Sequence, residues 1–118
     1  RVIIGNGNRF EKFVTIDSGT EGTTIIEDNC IFLRGSHCGH DVVIHNGVVL
    51  SCNVLIGGHT VVARNCNFGL GAVAHQRLVI PEGIMVGMNS TITKKTVLTP
   101  FRKLVGSPAK DIGPNVRS

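Results

Sequence analysis

The chain has 118 residues, of which 15 are glycine and five are phenylalanine, with no Trp and no Tyr. This length allows one domain, and so few aromatic residues are typical of a narrow interior rather than a broad globular core. The formal charge is +4, and the longest apolar runs are only a few residues, so we expect no membrane span.

A six-residue period runs along the chain. It begins at Ile4, Phe10 and Ile16, and four extra residues before Ile26 predict a loop at residues 19–24, expelled from the repeat. From there every sixth residue is apolar: Ile26, Phe32, Cys38, Ile44, Leu50, Ile56, Val62, Phe68, Ala74, Ile80, Val86, Ile92 and Leu98. Neither an α-helix nor an ordinary strand has this period, which indicates an all-β parallel β-helix with one strand and one corner per hexad.

A second series follows three residues after most of these apolar positions. Its members are Asn or Gly, which adopt a left-handed backbone at little cost: Asn29, Gly35, Gly47, Asn53, Asn65, Gly71, Gly83 and Asn89. We therefore predict a β-helix domain over residues 1–98, with tight corners at these positions.

Residues 99–118 are predicted to form a short C-terminal tail. From Lys94 onward six basic residues stand against the single acid Asp111: Lys94, Lys95, Arg102, Lys103, Lys110 and Arg117. This excess favours an anionic partner, such as a nucleotide, a coenzyme phosphate or an acidic carrier protein, although a solvated tail would have the same composition. No aromatic residues are interleaved with the basic ones, so we expect no nucleic-acid partner.

Several segments resemble the UDP-N-acetylglucosamine acyltransferase family of hexapeptide-repeat enzymes, which begins lipid A synthesis. They are Val14-Thr15-Ile16 leading to Gly19-Thr20, then Ser36-His37-Cys38-Gly39-His40-Asp41, Ile56-Gly57-Gly58-His59, Ala72-Val73-Ala74-His75-Gln76 and Gly106-Ser107-Pro108-Ala109-Lys110. The resemblance implies a left-handed parallel β-helix with three hexads per coil. It also implies a homotrimer with active sites between subunits.

With three hexads per coil, residues about eighteen apart lie on one face, so we expect His40, His59 and His75 on successive coils. The resemblance makes His40 the catalytic base, Asp41 the carboxylate that orients it, and Gly58 the source of a backbone N–H for the oxyanion. It places His59, His75 and Gln76 along the cleft for the acyl donor and the nucleotide sugar. We expect His37 to support the base or the interface.

Two residues bear on the substrate. Asp17 stands where the family commonly has a histidine near the sugar nucleotide. Met88 lies where the family's acyl groove ends and small residues are often found, so its volume predicts a short or medium acyl group. The chain also ends soon after Gly106-Ser107-Pro108-Ala109-Lys110, as acetyl-CoA-dependent sugar acetyltransferases of this fold do.

The four cysteines do not form a metal or disulfide pattern. Cys38 is in the core series, and Cys30 and Cys66 are two coils apart, roughly 9–10 Å, which is too far for a disulfide. We interpret them as small buried side chains of a protein in a reducing compartment, the cytoplasm.

The predicted function is acyl transfer from a thioester, carried by acyl carrier protein or coenzyme A, to a hydroxyl or amine of a nucleotide-linked sugar. The thioester is a co-substrate, and we expect no bound cofactor and no metal. Alternatives are an acetyl-CoA-dependent sugar acetyltransferase outside lipid A synthesis and a non-catalytic trimerising solenoid.

Zinc catalysis of the γ-carbonic anhydrase type is disfavoured. His40 and His45 have the pair spacing, but no histidine precedes His37. Asp41 and His59 also have a purely structural interpretation, because both stand at left-handed corners.

Overall fold

The computed structural model describes residues 1–116, which form an all-β solenoid. Its strands are β1 (Val2–Ile4), β2 (Arg9–Phe10), β3 (Thr15–Ile16), β4 (Thr24–Ile26), β5 (Ile31–Phe32), β6 (His37–Cys38), β7 (Val43–Ile44), β8 (Val49–Leu50), β9 (Leu55–Ile56), β10 (Val61–Val62), β11 (Asn67–Phe68), β12 (Val73–Ala74), β13 (Val79–Ile80), β14 (Met85–Val86), β15 (Thr91–Ile92), β16 (Arg102–Gly106) and β17 (Ala109–Pro114). No helix in the described part of the chain is long and apolar enough to span a membrane.

The strands stack into three sheets that enclose a prism. Sheet A has the order β1-β4-β7-β10-β13, sheet B the order β17-β16-β14-β11-β8-β5-β2, and sheet C the order β15-β12-β9-β6-β3. Pairing within the repeat is parallel, and Ile44 pairs with Val62 as Cys38 pairs with Ile56, eighteen residues on. The prediction of three hexads per coil is therefore confirmed.

The core consists of the apolar series that recurs every sixth residue. Its twelve members from Ile26 to Ile92 are all buried, and Leu98 is partly buried against them. Burying one Ile or Leu side chain contributes about 1.5–3 kcal/mol, so this column is the main driving force for coiling. The residues directly before the strands pack beside this column with small side chains, such as Cys30, Ser36 and Thr60.

The corners have the predicted left-handed backbone. Each of the eight Asn and Gly positions has φ between 54° and 74°. Gly35 and Asn53 show how consecutive coils fit: the Asn53 side-chain oxygen occupies the space that a Cβ on Gly35 would need. Gly71 and Asn89 repeat the arrangement, so glycine serves both the turn and the close approach of the next coil.

Residues 102–114 extend sheet B. β16 pairs in parallel with β14, which places Leu104 beside Val86, and β17 folds back antiparallel on β16. Leu104 and Ala109 are buried, and Arg102 is joined to Asp111 by an ion pair of 2.7 Å that lowers the pKa of Asp111. The predicted tail is thus a hairpin packed on the last coils, and Arg117 lies outside the described residues.

All four cysteines are free thiols, and three of them are buried. Burial raises the pKa of Cys38 to about 12 and that of Cys66 to about 11. The Cys66 thiol donates a hydrogen bond to the carbonyl of Pro81 at 3.0 Å. These thiols are protonated, structural side chains at neutral pH.

Candidate active site

The corner that follows sheet C differs from the other two corners of the coil. Its left-handed residues are Asp41, His59 and Arg77, each with φ of 60°. The other two corners of the same coils have Asn or Gly at this position. A non-glycine residue in this conformation costs about 1–2 kcal/mol, and Asn, Asp and His are the non-glycine residues found there most often. Arg77 therefore takes this backbone at a cost, in line with two other polar side chains on the same edge of the solenoid.

Asp41 is the hub of this corner. Its Oδ2 accepts hydrogen bonds from the N–H and hydroxyl of Thr20, at 3.1 and 3.0 Å, and from the N–H of Glu21 at 3.2 Å. Its Oδ1 accepts from the N–H of Gly22 at 2.8 Å. The loop predicted at residues 19–24 thus wraps the carboxylate, whose side chain is only 6% exposed. The hydrogen bond with His40, reinforced by these backbone N–H groups, holds the pKa of Asp41 well below its usual range.

His40 is oriented by that carboxylate. Its Nδ1 lies 3.0 Å from Asp41 Oδ2 and 3.3 Å from the Thr20 hydroxyl, while 41% of the side chain remains exposed. A carboxylate accepts hydrogen bonds only, so the neutral ring has its proton on Nδ1 and a lone pair on Nε2. The geometry therefore prepares Nε2 to take up a proton.

Three glycines, Gly39, Gly57 and Gly58, form a surface without side chains next to the His40 ring, which we call the glycine floor. A Cβ at Gly58 would lie 2.8 Å from His40 Nε2, and a Cβ at Gly39 would lie 2.8 Å from the nitrogen of Gly58. Within residues 1–116 the Gly58 N–H has no hydrogen-bond acceptor. The absence of a side chain at Gly39 thus leaves this amide open, and the absence of one at Gly58 lets the His40 ring approach the same residue, so the amide can donate to a ligand.

His59 closes the far side of the cluster. Its ring stands edge-on to that of His40, with centroids 5.0 Å apart. Its Nε2 lies 3.6 Å from Asp41 Oδ2 and 3.6 Å from Glu21 Oε1, which is too long for a hydrogen bond. This nitrogen is buried without a hydrogen-bond partner in the described chain.

A second histidine–carboxylate pair adjoins the cluster on sheet C. His37 Nδ1 lies 2.7 Å from the Thr15 hydroxyl, and its Nε2 lies 3.4 Å from Asp17 Oδ2. Asp17 donates its N–H to the carbonyl of Cys38, so it stands one coil below Gly39. The structure therefore places both predicted residues at one end of the glycine floor.

His75 and Gln76 lie at the other end of that floor. The backbone of Gln76 stands above Gly57, within 2.5 Å of where a Cβ would be. The side chain of His75 lines a cavity of about 520 Å³ together with Lys94, Lys95 and the Ser107-Pro108 turn of the hairpin. No contact joins His75 to the two other histidines within the described chain, so two of the three expected rings are in contact.

Met88 is not brought to this corner. It belongs to the corner that follows sheet B and is 69% exposed. Within one chain, then, the structure assembles His40, Asp41, Gly58 and His59, with the other predicted residues on neighbouring coils and Met88 on a different edge of the prism.

Sequence reasoning assigned no catalytic or binding role to four residues of the site. Thr20 and Glu21 belong to the expelled loop, and Gly39 and Arg77 belong to the corner itself. The sequence does carry a signal for this corner. In the second series the positions that are neither Asn nor Gly recur every eighteen residues: Asp41, His59, Arg77 and Lys95. The four-residue insertion falls at the same corner, one coil earlier.

Comparison with known proteins gives this arrangement a context. No family profile matches the chain. It matches the acyl-(acyl-carrier-protein)–UDP-N-acetylglucosamine O-acyltransferase of Paracoccus denitrificans at 44% identity over 62 residues, which is 50% of this chain and 24% of that protein. The solved UDP-N-acetylglucosamine acyltransferase of Arabidopsis superposes with a TM-score of 0.91 at 27% identity, covering 97% of this chain and 40% of that one. The comparisons confirm the resemblance.

A third relative shares the fold alone. AntD, an N-acyltransferase from Bacillus cereus solved in complex with dTDP and 3-hydroxybutyryl-CoA, superposes with a TM-score of 0.83 at 15% identity over 98% of this chain and 73% of that one. The left-handed parallel β-helix implied by the UDP-N-acetylglucosamine acyltransferases is confirmed by these structures. The chain spans about a quarter of the length of the curated relatives it matches.

Proposed function

We propose that this protein transfers an acyl group from a thioester, carried by acyl carrier protein or coenzyme A, to a hydroxyl or amine of a nucleotide-linked sugar. The observation that carries the proposal is the His40 ring, held at Nδ1 by Asp41 and bare at Nε2, beside the unpaired amide of Gly58. A base and an oxyanion donor side by side are what acyl transfer requires.

The proposed reaction has two stages. His40 Nε2 removes the proton from the acceptor O–H or N–H as the acceptor attacks the thioester carbonyl, and the carbonyl oxygen becomes an oxyanion. That oxygen accepts a hydrogen bond from the Gly58 N–H. The tetrahedral intermediate then expels the thiolate, which takes the proton back from Nε2, so the histidine returns to its starting state.

Asp41 stabilises the imidazolium that forms between these stages. Its own hydrogen bonds from Thr20, Glu21 and Gly22 hold the carboxylate ionised and fixed in position. A fixed charge next to Nδ1 needs no reorganisation when the positive charge appears on the ring.

The donor's phosphorylated arm is assigned to the cavity next to His75. Two lysines at its rim, Lys94 and Lys95, supply positive charge for phosphates, and apolar surface predominates in its lining. The cavity lies at the upper end of the glycine floor, whereas the Asp17–His37 pair stands at the lower end. We therefore assign the donor to the upper end and the sugar acceptor to the lower end.

The proposed assembly is a homotrimer with sites between subunits. The outward side chains of sheet A form an unbroken aliphatic column, which is unusual for a solvent-facing surface: Ile3, Ile25, Val43, Val61 and Val79. Val43, one member of this column, follows Asp41 by two residues in the chain, so a neighbouring copy packed on the column would border the site. Met88 would then reach the acyl group only from that neighbouring copy.

Trimer formation can be tested on the aliphatic column itself. Val61→Asp should convert the trimer to monomer in analytical ultracentrifugation, because a buried unpaired charge opposes association. Val49→Asp, at the same position of a hexad on sheet B, serves as the matched control and should keep the trimer. Equal behaviour of the two variants would remove sheet A from the interface.

A second candidate function is acetyl transfer from acetyl-CoA to a sugar. AntD, the N-acyltransferase that shares the fold, was solved with 3-hydroxybutyryl-CoA. Saturation of turnover by acetyl-CoA, with no response to acyl carrier protein, would establish this function in place of the first.

The experiment that tests the proposed function compares two histidines. His40→Ala should lower turnover by about 10²–10⁴-fold, the usual contribution of a general base, with the trimer and the thermal unfolding curve unchanged. His45→Ala is the control, because His45 is also paired with a carboxylate, Glu27, at 2.8 Å, but follows sheet A. Unchanged turnover in His40→Ala would overturn the assignment of His40 as the base, whereas no turnover in the wild type would favour a scaffold without catalysis.

A further inference from the structure

Three ligating atoms of the site converge on one point. His40 Nδ1 lies 3.0 Å from Asp41 Oδ2, and His59 Nε2 lies 3.6 Å from the same oxygen. One such atom from each of the three residues lies within 4.8 Å of the others. We propose that these residues bind a zinc ion within a single chain, and that the bound ion inhibits acyl transfer.

The unpaired nitrogen of His59 is the second, independent observation. Its Nε2 is buried and has no hydrogen-bond partner among the described residues, although two carboxylates stand 3.6 Å away. An unsatisfied buried polar atom is unfavourable, because it has given up its hydrogen bonds to water. The left-handed backbone of His59 and its edge-on contact with the His40 ring fix the nitrogen in this place. A cation there would remove the cost.

The donor set selects zinc over the harder cations. Two imidazole nitrogens and a carboxylate are zinc ligands, whereas Ca²⁺ and Mg²⁺ prefer oxygen alone. Ligand atoms about 2.1 Å from a tetrahedral ion are about 3.4 Å apart, and the two separations at Asp41 Oδ2, 3.0 and 3.6 Å, lie on either side of this value. Glu21 brings a second carboxylate to His59 for the fourth position.

This arrangement is distinct from a zinc site of the γ-carbonic anhydrase type, for which the relevant spacing is that of His40 and His45. In the structure a corner and strand β7 lie between those two histidines. Here the ligands come from two successive coils, His59 standing one coil above Asp41. The eighteen-residue period, and not the local spacing, brings them together.

Inhibition follows from the two nitrogens of His40, and this step rests on the proposed function. A zinc ion on Nδ1 takes the position of the proton that Asp41 holds there. The ring proton then moves to Nε2, above Gly58, where the lone pair was. The histidine can no longer accept a proton from the acceptor, and removing the ion with a chelator restores it.

The site is tested first by direct binding. Zinc is titrated into the full chain in competition with a chromophoric chelator, for the wild type, His59→Asn and His45→Asn. Asn tolerates the left-handed backbone of position 59, so the first variant keeps the corner. We expect one zinc per chain, at least about tenfold weaker affinity in His59→Asn, and no change in His45→Asn. Equal affinity in all three proteins, or no binding at micromolar zinc, would overturn the site.

Inhibition is measured separately, so that the two proposals fail in different ways. Zinc should stop turnover of the wild type, and EDTA should restore it. The zinc concentration for half inhibition should rise at least about tenfold in His59→Asn, relative to that variant's own zinc-free rate. Zinc bound at one per chain without inhibition would overturn both the inhibition and the role of Nε2. Absence of turnover without zinc would overturn the proposed function, while the binding titration would still decide the site.

Discussion

The corners that follow sheets A and B differ from those that follow sheet C in one residue per coil. Where sheets A and B end between residues 29 and 89, Asn or Gly takes the left-handed backbone, and Asn53, Asn65 and Asn89 each fill the space above a Gly of the coil before. Where sheet C ends, Asp41, His59 and Arg77 take the same backbone. The first arrangement stabilises the coil, whereas the second gives up some stability and gains a cluster of polar side chains.

The contrast extends to ion pairs. At the corner after sheet A, His45 pairs with Glu27 and Arg64 with Glu82, one partner for each charge along a ladder of coils. At the corner after sheet C, one carboxylate faces two histidines and three N–H groups of a loop. Isolated exposed pairs contribute about 0–1 kcal/mol each, so the ladder has a modest structural role. The cluster after sheet C instead fixes the proton of the neutral His40 ring on Nδ1, next to Asp41.

The largest expected effect in this comparison comes from the glycine floor. Gly39→Ala should lower turnover by about 10²–10³-fold, because its Cβ would cover the Gly58 N–H that we propose as oxyanion donor. Gly69→Ala is a matched control at the same hexad position after sheet B, where a Cβ would lie 2.8 Å from the amide of Met88. Both should lose similar stability in chemical denaturation. Similar losses of turnover in both variants would show that the floor has no special role.

Asp41→Asn should have the next largest effect, a loss of about 10²-fold in turnover. Asn keeps the left-handed corner, but it can neither hold the Nδ1 proton of His40 as a carboxylate does nor stabilise the imidazolium. Steady-state kinetics should show the loss in kcat, with KM for the donor little changed. Asn53→Asp, at a corner after sheet B, is the control that should keep full turnover. A wild-type kcat in Asp41→Asn would contradict the orienting role.

A Met88 variant tests whether the corner after sheet B in one subunit reaches the corner after sheet C of its neighbour in the proposed trimer. Met88→Gly should shift the preference among thioesters by about tenfold toward longer acyl chains, because one or two methylene groups are worth that much in an apolar groove. The wild type should prefer short or medium chains. Turnover measured across a series of chain lengths decides this, and a wild-type preference for about fourteen carbons or more would refute the role of Met88.

A smaller effect on stability should have opposite signs at the two corners. Arg77→Asn should stabilise the protein by about 1 kcal/mol, because Asn tolerates the left-handed backbone better than Arg. Asn53→Arg should destabilise it by about 1–2 kcal/mol, because the new residue both takes an unfavourable backbone and loses the packing over Gly35. Urea unfolding measures both. Equal signs would contradict the idea that the corner after sheet C gives up stability.

At neutral pH the smallest effect concerns the buried thiols, whose contribution changes only in alkaline solution. Burial raises the pKa of Cys38 to about 12 and that of Cys66 to about 11, above the value of about 8.5 in an unfolded chain. Below pH 8.5 both states are protonated. As the pH rises further the unfolded state loses protons first, so the free energy of unfolding falls by about 1.4 kcal/mol per pH unit for each thiol. Cys38→Ala should flatten this fall without changing turnover at pH 7, and an unchanged slope would contradict the assignment.

The fold could be predicted almost completely from the sequence, because a period of six has few other physical causes. Twelve members of the apolar series are buried as expected, and the Asn and Gly positions are the corners. The hairpin at residues 102–114 was not evident, since its pairing depends on Leu104 continuing the series after a corner at Phe101. A lone apolar residue in a short tail does not indicate register.

The site could be predicted only in part. His40, Asp41, Gly58 and His59 follow from the resemblance and the eighteen-residue period. The role of Thr20 and Glu21 depends on how the expelled loop folds back, which no periodicity describes. Met88 was assigned from the end of the family's acyl groove, and within one chain it lies on another edge of the prism. His75 was expected above His59, but its side chain turns to the cavity beside the hairpin.

The central claim is that Asp41 holds the His40 proton on Nδ1 and leaves Nε2 free above Gly58. Nitrogen-15 NMR of the histidine side chains, assigned with His40→Gln, measures this tautomer directly in the neutral ring. We expect the proton on Nδ1 of His40 in the wild type. A proton on Nε2 would direct the lone pair at a carboxylate, leave no base above Gly58, and contradict the account.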